Sequence, residues 1–245
     1  MDKIRQSNKA VLWLAIISAA AILSGCGTGY RRDGNQMVFV TWDEGRGKVA
    51  NPIQGADPAS FKILKEGYAK DKSQVYFEGH VIWSAALYNK PFWTQPTSFE
   101  VLTSGYAKDS ERAYFKGEPF QADPLSFHIG AKGDWAADRN DIYVQAYAIH
   151  ACEPDSFESL QYPWYRDKRC VYAAHGIPWK PVSRITGADP SRFVAINFWF
   201  GADDRHVYTN DGAILKDVAP ASFLKTGKDA YLCMRGNEPS ACYRK

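Results

Sequence analysis

The stretch Asp71-Lys72-Ser73-Gln74-Val75-Tyr76-Phe77 decides the reading of this chain, because its pattern recurs. An Asp followed five positions later by a Tyr stands at Asp71/Tyr76, Asp109/Tyr114, Asp138/Tyr143, Asp167/Tyr172 and Asp203/Tyr208. Self-similarity of this kind marks a repeat architecture, in which one unit is too small to bury its own apolar face and needs neighbours. Six segments also align on a Phe three positions after a Pro: Pro58/Phe61, Pro96/Phe99, Pro124/Phe127, Pro154/Phe157, Pro190/Phe193 and Pro220/Phe223. In the first five, a large aromatic follows the Phe by seven or eight residues, at Tyr68, Tyr106, Trp135, Trp164 and Phe200, and the Asp lies three further on.

Each position of the repeat has a physical role. Asp57-Pro58 predicts the start of a short helix, with Asp as N-cap and Pro where its missing N–H costs nothing, and Gly67 predicts its end. Asp123-Pro124 and Asp189-Pro190 repeat the pair. Tyr68-Ala69-Lys70 and Val75-Tyr76-Phe77-Glu78, separated by four polar residues, predict a β-hairpin whose turn is closed by backbone amides donating to the Asp71 carboxylate. The expected fold is mainly β: tandem β-hairpin repeats with short helical turns. Two strands per roughly 32 residues is fewer than the four of a propeller blade of 40–45. An open, curved, solenoid-like array is therefore expected, with a closed propeller-like ring as the alternative. Residues 28–42 read as a half-repeat capping the array, Asp43 to Gln54 as an exposed loop, and Phe223 onward as a degenerate sixth unit.

The motif resembles the one that names the DKNYY family of bacterial proteins, over about 190 residues from Ala56 onward. Only Asp138-Arg139-Asn140 keeps the Asn, and the second Tyr is replaced by Phe77, Phe115, Val144, Ala173 and Thr209. The resemblance implies a secreted or lipid-anchored repeat protein and adds no mechanism.

The N-terminus predicts export. Lys3, Arg5 and Lys9 precede an apolar run from Val11 to Leu23, too short to span a bilayer core of about 30 Å. Leu23-Ser24-Gly25-Cys26 resembles the lipobox of bacterial lipoproteins, which implies acylation of Cys26 as the first mature residue. Gly27, standing where an Asp would resemble an inner-membrane retention signal, implies the outer membrane. The expected organisation is a signal peptide over 1–25, a lipid-anchored cap and loop over 26–55, and a repeat domain over 56–245. Of 30 Lys+Arg and 27 Asp+Glu, the leader holds three bases and Asp2, so the mature part carries 27 against 26. A nearly neutral surface offers no field for polyanions, so no nucleic-acid partner is expected. Cys152, Cys170, Cys233 and Cys242 remain, an even number in an exported chain. Three connectivities are possible, and the local pairs Cys152–Cys170 and Cys233–Cys242 are favoured.

Recognisable chemistry is scarce. His80, His128, His150, His175 and His206 form no metal-ligand pair, and no nucleophile elbow, phosphate loop or dinucleotide fingerprint occurs. No cofactor, metal or catalytic residue is predicted. The most suggestive feature is an aromatic-rich insertion from Trp83 to Pro96, containing Tyr88, Phe92 and Trp93, with a shorter excess around Trp179. Insertions in repeat arrays tend to emerge on one face, often the binding face, and exposed aromatics make contact anchors. The expected function is a non-enzymatic, lipid-anchored envelope scaffold, held to the membrane by its lipid and presenting a protein-binding surface. The alternatives are an immunity-type lipoprotein that neutralises a toxin and, further off, a carbohydrate-active envelope enzyme.

Overall fold

The computed structural model describes residues 27–84, 92–177 and 180–243. Around the founding motif the expected hairpin forms from β5 (Tyr68–Lys70) and β6 (Val75–Phe77); β1 (Gly29–Asp33), β2 (Gln36–Asp43), β3 (Gly47–Pro52) and β4 (Lys62–Ile63) precede it. Tyr68 lies opposite Phe77, Ala69 opposite Tyr76 and Lys70 opposite Val75. The unit is larger than a hairpin. β4 pairs with β5, and β7 (His80–Val81) pairs with β6, giving a four-stranded antiparallel meander in the order β4-β5-β6-β7. The expectation of two strands per unit is thereby corrected to four, the number in a propeller blade, so strand count no longer favours an open array over a closed ring. The outer strands are two residues long, with no alternation to betray them, and tight turns impose their pairing. Glu66-Gly67 and Glu78-Gly79 both have positive φ at each position, the geometry of a type I′ turn, whose twist matches that of paired strands.

Four-stranded meanders recur over residues 100–120, 128–148 and 158–184, and a three-stranded sheet over 194–209 is extended by a bridge between Tyr208 and Ile214. β1, β2 and β3 form a three-stranded sheet at the start, and Ala230–Arg235 with Glu238–Tyr243 a hairpin at the end. The fold is mainly β, a series of short antiparallel sheets with few helices and no closed barrel among the described residues. The expected loop from Asp43 to Gln54 is corrected as well. Residues 47–52 are β3, paired along β2 from Val38↔Pro52 to Asp43↔Gly47, so a polar and Gly-containing composition hid an edge strand.

The Pro-led segments are turns more often than helices. Pro154–Ser156 is a 3-10 turn and Pro220–Thr226 an α-helix, designated α1, while Pro58, Pro96, Pro124 and Pro190 each open a single turn. Each of these turns is only three residues, 58–60, 96–98, 124–126 and 190–192, too short to nucleate a helix. What the turn does is aim the following Phe. In the first five units this Phe ring sits between the leading aromatic of the preceding unit and the repeat Tyr of its own. Phe61 lies 5.5 Å from Tyr30 and 5.3 Å from Tyr76; Phe99 lies 5.5 Å from both Tyr68 and Tyr114. The same holds for Tyr106/Phe127/Tyr143, Trp135/Phe157/Tyr172 and Trp164/Phe193/Tyr208. These rings are the centre of six core clusters, each shared by consecutive units. Two disulfides add local closure, Cys152–Cys170 and Cys233–Cys242, with Cα separations of 6.1 and 5.9 Å.

Candidate functional site

The repeated Asp is the most insistent polar feature, and its geometry assigns its work. Asp71 is 4% exposed, and both its oxygens are fully used. Oδ1 accepts from the amides of Ser73 (2.7 Å) and Gln74 (2.8 Å), which closes the hairpin turn as expected. Oδ2 accepts from the Tyr76 hydroxyl (2.7 Å) and from the amide of Asp57 (2.9 Å), fourteen residues upstream. The carboxylate thus pins the entry turn, the hairpin turn and the core Tyr to one point. The arrangement repeats at Asp109, whose oxygens take the amides of Glu111, Arg112 and Gln95 and the Tyr114 hydroxyl. Asp138, Asp167 and Asp203 do the same with Tyr143, Tyr172 and Tyr208. Burial by itself would raise the pKa of Asp71, Asp138, Asp167 and Asp203. Donated hydrogen bonds outweigh it and hold all four below the ordinary value of 3.8. The tyrosines move the other way: burial, then the adjacent carboxylate, pushes the Tyr76 phenol well above 10.

A second device fastens unit to unit. The Tyr30 hydroxyl donates to Gly67 O (3.0 Å) and accepts from Gly79 N (3.1 Å). One unit later Tyr68 donates to Gly105 O and accepts from Gly117 N, each at 2.9 Å. Basic residues two positions on reach the next Pro-led turn: Lys70 Nζ donates to Pro96 O and Phe99 O, Lys108 Nζ to Pro124 O and Phe127 O, and Arg166 Nη1 to Pro190 O. The spacing of Lys70, Lys108 and Arg166 was visible in the sequence; their carbonyl partners, 16 to 29 residues away, were not.

The predicted binding residues are placed in part. β8 (Trp83–Ser84) and β9 (Phe92–Trp93) form a two-stranded ribbon between the second and third sheets, with Trp83 opposite Trp93 and Ser84 opposite Phe92. The insertion therefore leaves the repeat as its own ribbon. Tyr88, Trp179 and the proposed lipidation site Cys26 lie outside the described residues.

Another aromatic group was not singled out from the sequence. Tyr162, Phe198 and Trp199 are 45%, 37% and 37% exposed, and they touch one another: Tyr162 and Phe198 ring centres are 6.0 Å apart, Phe198 and Trp199 4.8 Å and nearly perpendicular. They occupy the two positions before the leading aromatics Trp164 and Phe200, where earlier units carry Glu66-Gly67 and Ser104-Gly105. Aromatics in place of turn residues were the available signal. Asn197 holds the second loop rigid, accepting from the amides of Trp199 and Phe200 and donating to the carbonyls of Gly227, Lys228 and Ala230.

Clefts follow the repeat too. One of about 370 Å³ lies between the first two units, against Phe39, Thr41, Asn51, Glu78 and His80. Its counterpart of about 200 Å³, one unit on, is lined by Phe77, His80, Lys116 and Glu118. Among the described residues no group of three or more His, Cys, Asp and Glu could hold a metal ion. His150 pairs with Asp141, yet Asp141 Oδ1 is taken by the amides of Ile142 and His150, and neither residue lines these clefts.

A family model, the DKNYY family, matches residues 30–176, more than half of the chain. The match begins at the Tyr30 unit, earlier than Ala56, in agreement with Tyr30 making the bonds that Tyr68 makes one unit on, and it ends at residue 176, short of the units around Tyr208 and Phe223 that the resemblance was expected to cover. No curated protein and no solved structure matches the chain.

Proposed function

The chain belongs to the DKNYY family, and from that premise we propose that it is a non-enzymatic, lipid-anchored protein of the bacterial envelope whose repeats form a scaffold presenting a protein-binding surface. One observation carries this reading: the polar groups that recur are spent on the fold. A carboxylate that already accepts four hydrogen bonds, as Asp71 does, has no lone pair to offer a substrate or a metal. Tyr162, Phe198 and Trp199 are aromatic and exposed, the chemistry of protein contacts rather than of proton transfer. Tyr162, Phe198 and Trp199 form the best-supported binding patch, with the β8–β9 ribbon as a second contact element.

The array is open and curved in this reading. In support, each of the six core clusters joins consecutive units, and none of the six joins the first sheet to the last hairpin. The anchor is the Leu23-Ser24-Gly25-Cys26 lipobox, and Gly27 at the next position supports the outer membrane. Metabolic labelling with palmitate tests the anchor. The wild-type chain takes up label and fractionates with membranes; a Cys26→Ser variant takes up none and keeps its leader. A Cys26→Ser chain that is still labelled overturns the reading.

A further inference from the structure

The first sheet has an orientation relative to the lipidation site that the register fixes. Gly29 lies opposite Val40, so β2 continues past the start of β1 through Thr41, Trp42 and Asp43. Cys26 is three residues before Gly29, a reach of at most about 10 Å even fully extended. The chain therefore arrives from Cys26 at the same end of the sheet that carries the β2–β3 hairpin tip. That tip stands clear of the core. Trp42 is 65% exposed, Lys48 is its direct cross-strand partner, and the side chains of Arg46 and Asp43 form an ion pair that is itself largely exposed. Glu44 is exposed in the turn.

We infer that the β2–β3 tip is a membrane-seating element: with Cys26 acylated, Trp42 inserts at the headgroup level of the phospholipid surface while Arg46 and Lys48 face lipid phosphates. The inference rests on the lipoprotein reading and specifies what the anchored protein does next. A linker of two residues, Gly27 and Thr28, cannot carry the first sheet away from the bilayer. A large, solvent-exposed indole at that end matches the interfacial preference of Trp, whose ring is apolar with one polar N–H. Flanking Lys and Arg extend their stems over apolar surface and keep their charges at the phosphates. Asp43 and Glu44 balance Arg46 and Lys48 in formal charge. Seating is consequently driven by the indole rather than by net charge, and 0.5 M NaCl leaves it intact.

The test uses the full chain, processed in a bacterial host and reconstituted into phosphatidylethanolamine/phosphatidylglycerol vesicles in which a fraction of the acyl chains is brominated. Bromine quenches tryptophan only within the bilayer. The wild type shows partial quenching, Trp42→Phe loses most of it, and Trp199→Phe keeps it. Palmitate labelling of each variant is read in parallel. Label present with equal quenching in wild type and Trp42→Phe overturns the seating and leaves the lipoprotein reading standing; label absent from the wild type overturns both.

Discussion

Asp71 shows how one side chain can be worth more than the turn it closes. Asp71→Asn keeps an oxygen for the Ser73 and Gln74 amides, but its NH2 group faces two donors, the Asp57 amide and the Tyr76 hydroxyl. The Asp57 amide loses its acceptor, at about 1–3 kcal/mol, and the Tyr76 hydroxyl exchanges a charged acceptor for Gln74 Oε1 alone, at 3.0 Å. We expect a loss of about 2–5 kcal/mol in chemical denaturation. Tyr76→Phe removes one donor to a charged acceptor and is expected to cost about 1.5–3 kcal/mol. Tyr165 makes the opposite prediction. Its hydroxyl is buried with no hydrogen-bond partner among the described residues, so Tyr165→Phe removes an unmet desolvation cost and is neutral or stabilising by about 1 kcal/mol. If Tyr165→Phe destabilises as much as Tyr76→Phe, hydrogen bonding is not what separates the two rings. The same residues set the pH range. Asp71, Asp138, Asp167 and Asp203 titrate lower folded than unfolded, so their stabilisation is complete above the unfolded value near 4 and is lost as pH falls through the folded values. Tyr30, pushed up to about 12 chiefly by burial, contributes fully below 10 and loses its contribution as pH rises through 12. A melting-temperature profile flat between about pH 5 and 9, falling on both sides, is the expected result.

At the scale of strands and turns, the close approach of consecutive sheets depends on glycines whose neighbours differ. Gly79 has φ +85°, and a Cβ built there would lie 2.5 Å from the Cβ of Phe39, a rigid point on the preceding sheet; Gly187 has φ +83° with open space around it. Gly187→Ala therefore carries only the left-handed backbone cost of about 1–2 kcal/mol. Gly79→Ala adds about 1–3 kcal/mol of overpacking, because Phe39 must move. Urea midpoints for the two variants separate steric from conformational cost; equal midpoints would mean the sheets part without resistance. This level is also where the sequence was legible only in part. The β5–β6 hairpin and its Asp turn could be read from residue types, because aromatic runs around four polar residues carry their own pairing. β4 and β7 could not, since Lys62-Ile63 and His80-Val81 gain their structure from neighbouring turns and sheets. β3 was hidden for a related reason: as an edge strand with mostly exposed residues, it needs no apolar pattern. In the candidate site, Tyr162, Phe198 and Trp199 were legible only by aligning the units and asking where an aromatic replaces a turn residue.

Across the whole molecule, stability is expected to be a sum over neighbours rather than a single core, because each aromatic cluster is shared by consecutive units. In such an array an end unit has one partner and a middle unit two, so equal local damage has unequal reach. The C-terminal hairpin is the exposed end: α1 packs Phe223 against Phe200, at 5.3 Å, and the hairpin beyond it is closed by Cys233–Cys242. That disulfide spans nine positions and stabilises by about 2–3 kcal/mol in the chain-entropy model. Replacing both cysteines by Ser should release amide protection over 230–243 and leave the sheets before it protected, as read by hydrogen exchange with mass spectrometry. Phe127→Ala strikes the middle. It removes the ring between Tyr106 and Tyr143, a loss of about 3–5 kcal/mol for a buried Phe, and uncouples the units on either side. Exchange should then rise on both sides of residue 127, reaching Tyr114 and Tyr143 together, while the C-terminal variant leaves both untouched. A uniform rise across all sheets in either variant would mean that the ends are joined, and that the array is closed into a ring rather than open.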